Sequence, residues 1–295
     1  MFRIFCAIIV FLSLVPMGCS DFGNNAHQDT NTPPFEDFPR DETPTWSPIG
    51  QTIAYIHISI NPNDTTYPTG LYVIDTTGNN RRLVIAGSAY APDWSPDGNR
   101  IAFQSGDIFS ISQLGDNLVQ ITTGGQSHLP SWSPNGLLIA FDRSGTSDRA
   151  GIWVVNTETH LETRIGIGGN PDWSPDSRRL VHLRAVTGVF GEEIVVIDTT
   201  GQGLVRLTFN ENNDRHPKWS PSGASIAWTS FRGSTSWVCL MDSNGANKRD
   251  LVEGAYPAWS PDSRQITFSG WSPTRDKAIL WVINSDGTGL RQLTR

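Results

Sequence analysis

From about residue 41 onward, apolar and polar positions alternate in short runs, and a helical period never appears. One recurring run is large, small, large: Ile53-Ala54-Tyr55, Ile101-Ala102-Phe103, Ile139-Ala140-Phe141, Leu180-Val181-His182, Ile226-Ala227-Trp228 and Ile266-Thr267-Phe268. Runs of this period predict half-buried strands. A second apolar run follows each of them, from Leu71–Ile74 in the first case to Leu280–Ile283 in the last. It closes on an Asx-type turn such as Asp75-Thr76-Thr77-Gly78, Asp198-Thr199-Thr200-Gly201 or Asn284-Ser285-Asp286-Gly287. A short segment ending in a pattern such as Arg206-Leu207-Thr208 then completes the unit.

What punctuates the pattern is Pro-x-Trp-Ser-Pro, beginning at Pro44, Pro92, Pro130, Pro171, Pro217 and Pro257. The tryptophans, Trp46, Trp94, Trp132, Trp173, Trp219 and Trp259, are 48, 38, 41, 46 and 40 residues apart. After Ser-Pro comes a tight turn in which Pro presets φ and Gly supplies φ > 0. Ser177 and Ser263 replace that Gly in units four and six, at about 1 kcal/mol each if left-handed. Four short antiparallel strands per period of about 42 residues predict an all-β fold, a six-bladed β-propeller of contiguous four-stranded blades over residues 41–295. Such a ring closes where the first and last blades meet, with Phe35–Arg40 available to add at the seam. The six tryptophans are expected as wedges between neighbouring sheets, each hiding about 200 Å², and not as ligand contacts. A seventh Trp-Ser-Pro at Trp271 is read as a loop feature between the second and third strands of the last unit, with Trp271 exposed.

Composition narrows the function. With 22 Lys+Arg against 29 Asp+Glu the net charge is −7, which argues against a nucleic-acid partner because phosphates would be repelled. Three cysteines exclude a disulfide framework, and Cys239 between Trp237-Val238 and Leu240-Met241 reads as a small buried strand residue. At the front, Arg3 precedes a mostly apolar run from Ile4 to Val15, too short for a membrane span of about 20 residues and suited to a signal-peptide core. Gly18-Cys19 then resembles a bacterial lipoprotein signal, departing from it at Pro16 and Met17, and implies lipidation of Cys19. An ordinary secretory signal with a chance Cys is the alternative. The division expected is a signal peptide over 1–18, a flexible tether over 19–40 reaching roughly 25 Å, and the propeller over 41–295.

Together, the sixfold Pro-x-Trp-Ser-Pro, the Ile-Ala-Phe strands and the Arg-Leu-Thr endings resemble the TolB-type propeller over about residues 41–295. That resemblance implies a non-catalytic protein of the cell envelope that binds a peptidoglycan-associated lipoprotein through its propeller. The family's N-terminal α/β domain has no counterpart ahead of residue 41, so the resemblance is to a TolB-like lipoprotein. With the lipid anchor, it implies attachment to a membrane, at the periplasmic face of the outer membrane in a Gram-negative cell.

Function is expected in the residues just before each Pro, where the units diverge and polar, aromatic and ionisable groups collect; loops at one rim of a rigid scaffold are where binding resides. The candidate binding residues at this channel mouth are Glu42, Tyr90, Gln126, His128, Asn170, Asp214, Arg215, His216 and Tyr256. His128 and His216, with Gln126, Asp214 or Glu42, raise the thought of a metal, but a ligand set with the required geometry is not evident; no cofactor or metal is expected. Asn61-Pro62-Asn63-Asp64 reads as a plain surface turn and not a calcium loop. Neither Gly-x-Ser-x-Gly nor His-Glu-x-x-His occurs. The expected function is binding of a cell-envelope protein, not catalysis. The alternative is a carbohydrate-binding or lyase-like propeller acting at the same mouth.

Overall fold

A computed structural model describes residues 38–61, 63–146, 149–185 and 191–295. Expectations for the signal peptide, for Cys19 and for the tether up to residue 37 lie outside the described residues, as does Pro62. The described chain is all-β, with 24 strands. Its architecture is a propeller in which each sequence unit is a four-strand meander, as the strands of unit four show: Gly169–Trp173, Arg179–Ala185, Glu192–Asp198 and Val205–Arg206.

The expected six-bladed arrangement requires correction. Four separate four-stranded blades are present, formed by units two to five. The strands of units one and six do not make two further independent blades; they belong to one eight-stranded sheet. The described residues therefore form five sheets. The junction is a parallel pairing of Arg40, at the start of strand Arg40–Trp46, with Ala278, at the start of strand Ala278–Asn284. It is secured by the Ala278 amide donating to the Pro39 carbonyl at 3.2 Å. The physical reason is edge pairing: strand Arg291–Gln292 is only two residues long and pairs with Trp281 and Val282. It leaves the start of strand Ala278–Asn284 an open edge, and an open edge is a template for another strand. Ser269 Oγ donates to the Asp41 carbonyl at 2.7 Å and Arg291 to the Thr76 carbonyl at 2.9 Å, tying the same two units at both ends.

Trp271 also departs from expectation. It ends the strand Gln265–Trp271, pairs with Ala278, and is half-buried with its ring edge-on to Phe38 at 5.8 Å. The second strand therefore runs on to Trp271, and that position is no loop.

The repeated apolar positions build the core. Ile53, Ala54, Tyr55, Ile101, Ala102, Ile139, Ala140 and Phe141 are all fully buried. Five of the six motif tryptophans are buried and Trp132 is half-buried, as wedges require. Three indoles donate across to the preceding unit, Trp94 to Thr45, Trp173 to Ser131 and Trp259 to Lys218, at 3.1–3.2 Å to the carbonyls. Cys239 is fully buried on its strand, and burial raises its thiol pKa well above the usual thiol value.

Each first strand starts at one end of the molecule, here the mouth, and finishes at the Ser-Pro turn at the other. Gly50, Gly98, Gly136 and Gly223 in those turns have positive φ, as do Ser177 at 57° and Ser263 at 60°. Both serines put their hydroxyls to use: the Asn135 amide donates to Ser177 Oγ at 3.2 Å and the Ser222 amide to Ser263 Oγ at 2.9 Å.

Candidate functional site

At the mouth, every first strand carries the same distortion. Pairing with the second strand slips between the residues flanking the Pro, for example between Glu42 and Thr45 and between Arg215 and Lys218. Such a bulge leaves a position without a ladder partner, and Pro, which has no N–H, suits it. The residue before each Pro is thrown into the left-handed region: Thr43 (φ 49°), Ala91 (46°), Leu129 (50°), Asn170 (54°), His216 (53°) and Tyr256 (57°). None is Gly, and left-handed backbone costs an L-residue about 1–2 kcal/mol. Six such residues converge on one axial cavity, lined by them, by five of the six motif prolines (Pro44, Pro92, Pro130, Pro171 and Pro257) and by Lys218. The cavity is about 40 Å³, room for a few waters and far below the ~300–1,000 Å³ of a pocket for a drug-sized molecule.

Of the nine residues named from the sequence, the structure brings Asn170, His216 and Tyr256 into the cavity wall. The His216 and Tyr256 rings lie 4.4 Å apart, tilted by 49°. Desolvation pulls the His216 pKa down to about 3, with Arg215 and Lys218 adding repulsion, so the imidazole is neutral at physiological pH. Its Nδ1 and the Thr43 hydroxyl are buried polar atoms without a hydrogen-bond partner.

The other six stand outside that wall. Glu42 takes Arg40 Nε at 3.0 Å; burial raises its pKa against the pull of Arg40. Tyr90 is half-buried at the start of strand Tyr90–Trp94. His128 is held between Gln104 Nε2 at 2.7 Å and Ser144 Oγ at 3.1 Å, and burial lowers its pKa. Gln126 is exposed. Arg215 donates to Asn213 Oδ1 at 3.2 Å. Asp214 is fully buried and accepts from Asn210 at 2.9 Å. No group of three or more His, Cys, Asp or Glu positioned for a metal exists among the described residues.

Sequence reasoning passed over the x of Pro-x-Trp, which varies as Thr45, Asp93, Ser131, Asp172, Lys218 and Ala258. These residues form a polar neck. Lys218 Nζ is 2.9 Å from Asp172 Oδ1, to which Ser131 Oγ also donates at 3.3 Å. Asp172 Oδ2 accepts the Trp219 amide at 2.7 Å, and Asp93 Oδ2 accepts the Trp132 amide at 2.6 Å. Burial pushes Asp93 up to about 6, partly opposed by Lys218. Burial alone would lower Lys218, but Asp172 and Asp93 outweigh it and hold the amine above the ordinary lysine value. The available signal was a varied slot inside an otherwise constant pentapeptide.

Outside the neck, Asp142 faces the Asn170 loop. It is buried, its Oδ1 lacks a partner, and burial lifts its pKa to about 7.

Residues 156–295, a little under half the chain, match the family model of the TolB beta propeller domain. The Tol-Pal system protein TolB of Francisella tularensis subsp. holarctica (strain LVS) is 31% identical over 245 residues, 74% of this chain and 54% of that protein. An uncharacterized peptidase, YuxL, of Bacillus subtilis is 28% identical over 106 residues, 33% of this chain and 16% of that protein. The chain thus spans about half the length of the TolB relatives it matches and much less of the peptidase. Among solved structures, TolB from Acinetobacter baumannii superposes with a TM-score of 0.70 at 22% identity, covering 80% of this chain and 62% of that one. An oligogalacturonate lyase in complex with manganese does so at 0.59 and 13% identity, covering 88% and 78%. At these identities the structural likeness establishes the fold.

Proposed function

The chain carries a TolB-like β-propeller, and on that premise we propose that it is a non-catalytic binding module of the cell envelope. Its mouth receives a protein partner of the peptidoglycan-associated lipoprotein kind, the component that the Tol-Pal name of its relatives points to. On this reading Cys19 carries a lipid anchor, and in a Gram-negative cell the propeller stands at the periplasmic face of the outer membrane.

One observation carries this reading. Six left-handed, non-glycine residues converge on a single opening, and strain of this kind collects where ligands are clamped. The cavity is too small for a metabolite, so recognition falls to the rim, where a protein surface meets Tyr256, His216 and Asn170. Aromatic side chains at the centre of a patch dominate protein binding. The cavity wall also offers no carboxylate or thiol, and its one imidazole is a very weak base.

The triple variant Asn170→Ala/His216→Ala/Tyr256→Ala, probed with purified envelope lipoproteins from the same cell, tests the mouth. Binding weakened by at least about 100-fold is expected if two or more of these are hot spots at about 2 kcal/mol each. Undiminished binding removes the proposal. For the anchor, Cys19→Ser is expected to move the protein from the membrane to the soluble fraction; an unchanged distribution argues for the secretory alternative.

A further inference from the structure

A second cavity lies at the end opposite the mouth, in the seam between units five and six. Its volume is about 230 Å³. Trp259, Leu240 and Met241 are buried there, while Ser222, Asn247 and Arg249 at its edge are exposed.

A sister seam explains why it exists. Units three and four are joined like units five and six: Trp173 and Trp259 both donate back to the preceding unit, and Ser177 and Ser263 both accept the preceding turn's amide. In the first seam the second strand opens with Leu138, which packs against the cluster containing Trp173. In the second, the equivalent residue is Ser225. Leu is replaced by a residue three carbons smaller and polar, and the space beside the indole is left open.

The lining is polar but nearly neutral in effect. Asp242 Oδ2 accepts from Asn247 Nδ2 at 2.7 Å, and Arg249 is engaged by the Ser285 carbonyl. The hydroxyls of Ser225 and Ser285 make no hydrogen bond to other described residues, and each can donate and accept. An indole beside uncharged donors and acceptors suits a ligand with an apolar face and a hydroxylated edge. A cationic ligand would meet Arg249, and an anionic one Asp242. We infer that this seam is a binding site for a single neutral pyranose ring, such as the end residue of a glycan. The site is distinct from the mouth.

The test uses the purified full chain, titrated with methyl β-glucoside, galactose, N-acetylglucosamine and, as a cationic control, arginine amide, while the Trp259 indole N–H is followed by NMR. Expected is a shift of that signal by at least one pyranose in the millimolar range. It should be absent in Ser225→Leu, which restores the residue of the sister seam, and weakened at least several-fold in Asn247→Ala. If Ser225→Leu fails to fold, the Asn247 variant alone decides. The inference is overturned if no pyranose shifts the signal, if arginine amide is preferred, or if the folded variants bind as the parent does. Mouth variants should leave this binding unchanged, so failure here is separable from failure of the proposed function.

Discussion

The two ends of the sheets are built from one repeated pentapeptide, yet they treat the same side chain, aspartate, in opposite ways. At the turn end, Ser95 Oγ donates to Asp97 at 2.6 Å, and the Asn99 amide adds a bond at 3.0 Å. Ser174 with Asp176 and Ser260 with Asp262 repeat the device. In a neighbouring turn, the Thr77 hydroxyl and the Asn79 amide hold Asp75 down to about 2. At the mouth end, burial lifts Asp93 to about 6 and Asp142 to about 7. Solvated, locally bonded carboxylates need nothing from the rest of the molecule. Dehydrated ones are uncomfortable as anions and depend on what neighbouring units supply. The turn end is therefore satisfied locally, and the mouth carries a stored cost, which is what the proposed binding role there calls for.

The harshest way to break this contrast is to remove a wedge that spans it. Trp173→Ala should cost about 3–5 kcal/mol, since the ring is buried and its N–H bonds to Ser131. Urea denaturation measures it, and a loss below about 1 kcal/mol would mean that the ring packs loosely.

A sharper cut is pH. Asp142 has a folded pKa above its unfolded value, so the native state binds the extra proton between about pH 4 and 7. Its contribution is most favourable at low pH and declines as pH rises through about 7. Asp142→Asn should therefore gain roughly 2–4 kcal/mol relative to the parent at about pH 8 and little at about pH 4. His216, held near 3, and His182, held near 4 by burial, act in the other direction. Their neutral forms favour the native state above the unfolded imidazole pKa, and that stability is lost as pH falls. A pH-independent difference for Asp142→Asn would refute the burial argument.

The smallest effect belongs to the turns. Ser263→Gly relieves left-handed strain worth about 1 kcal/mol but forfeits the hydroxyl that takes the Ser222 amide. The two should cancel to within about 0.5 kcal/mol. A larger change in either direction, read from chemical denaturation, would show which term dominates.

Much of this was legible in the chain because it is local. Strand alternation, the left-handed Ser177 and Ser263, the wedge role of the tryptophans and the burial of Cys239 all follow from residue type and nearest neighbours. Asp214 shows the limit: as a residue before the motif it resembles Arg215 and His216, yet Asp214 is buried while the bulge and left-handed backbone at His216 break the alternation and turn that ring to the cavity. Lys218 was hidden inside the motif, and its importance appears only once Asp172, 46 residues away, lies beside it. Trp271 reads as a turn residue until Phe38 and Ala278 are brought against it.

Periodicity, which needs only a few consecutive side chains to alternate, was enough to specify sheets, turns and the end of the molecule where variation gathers. Which sheets are separate was decided by a bridge between Arg40 and Ala278, because an unfilled strand edge takes whatever backbone the closed ring brings to it. Which carboxylates are costly, and which seam is hollow, were likewise decided in three dimensions, since dehydration and packing volume depend on atoms far apart in the chain.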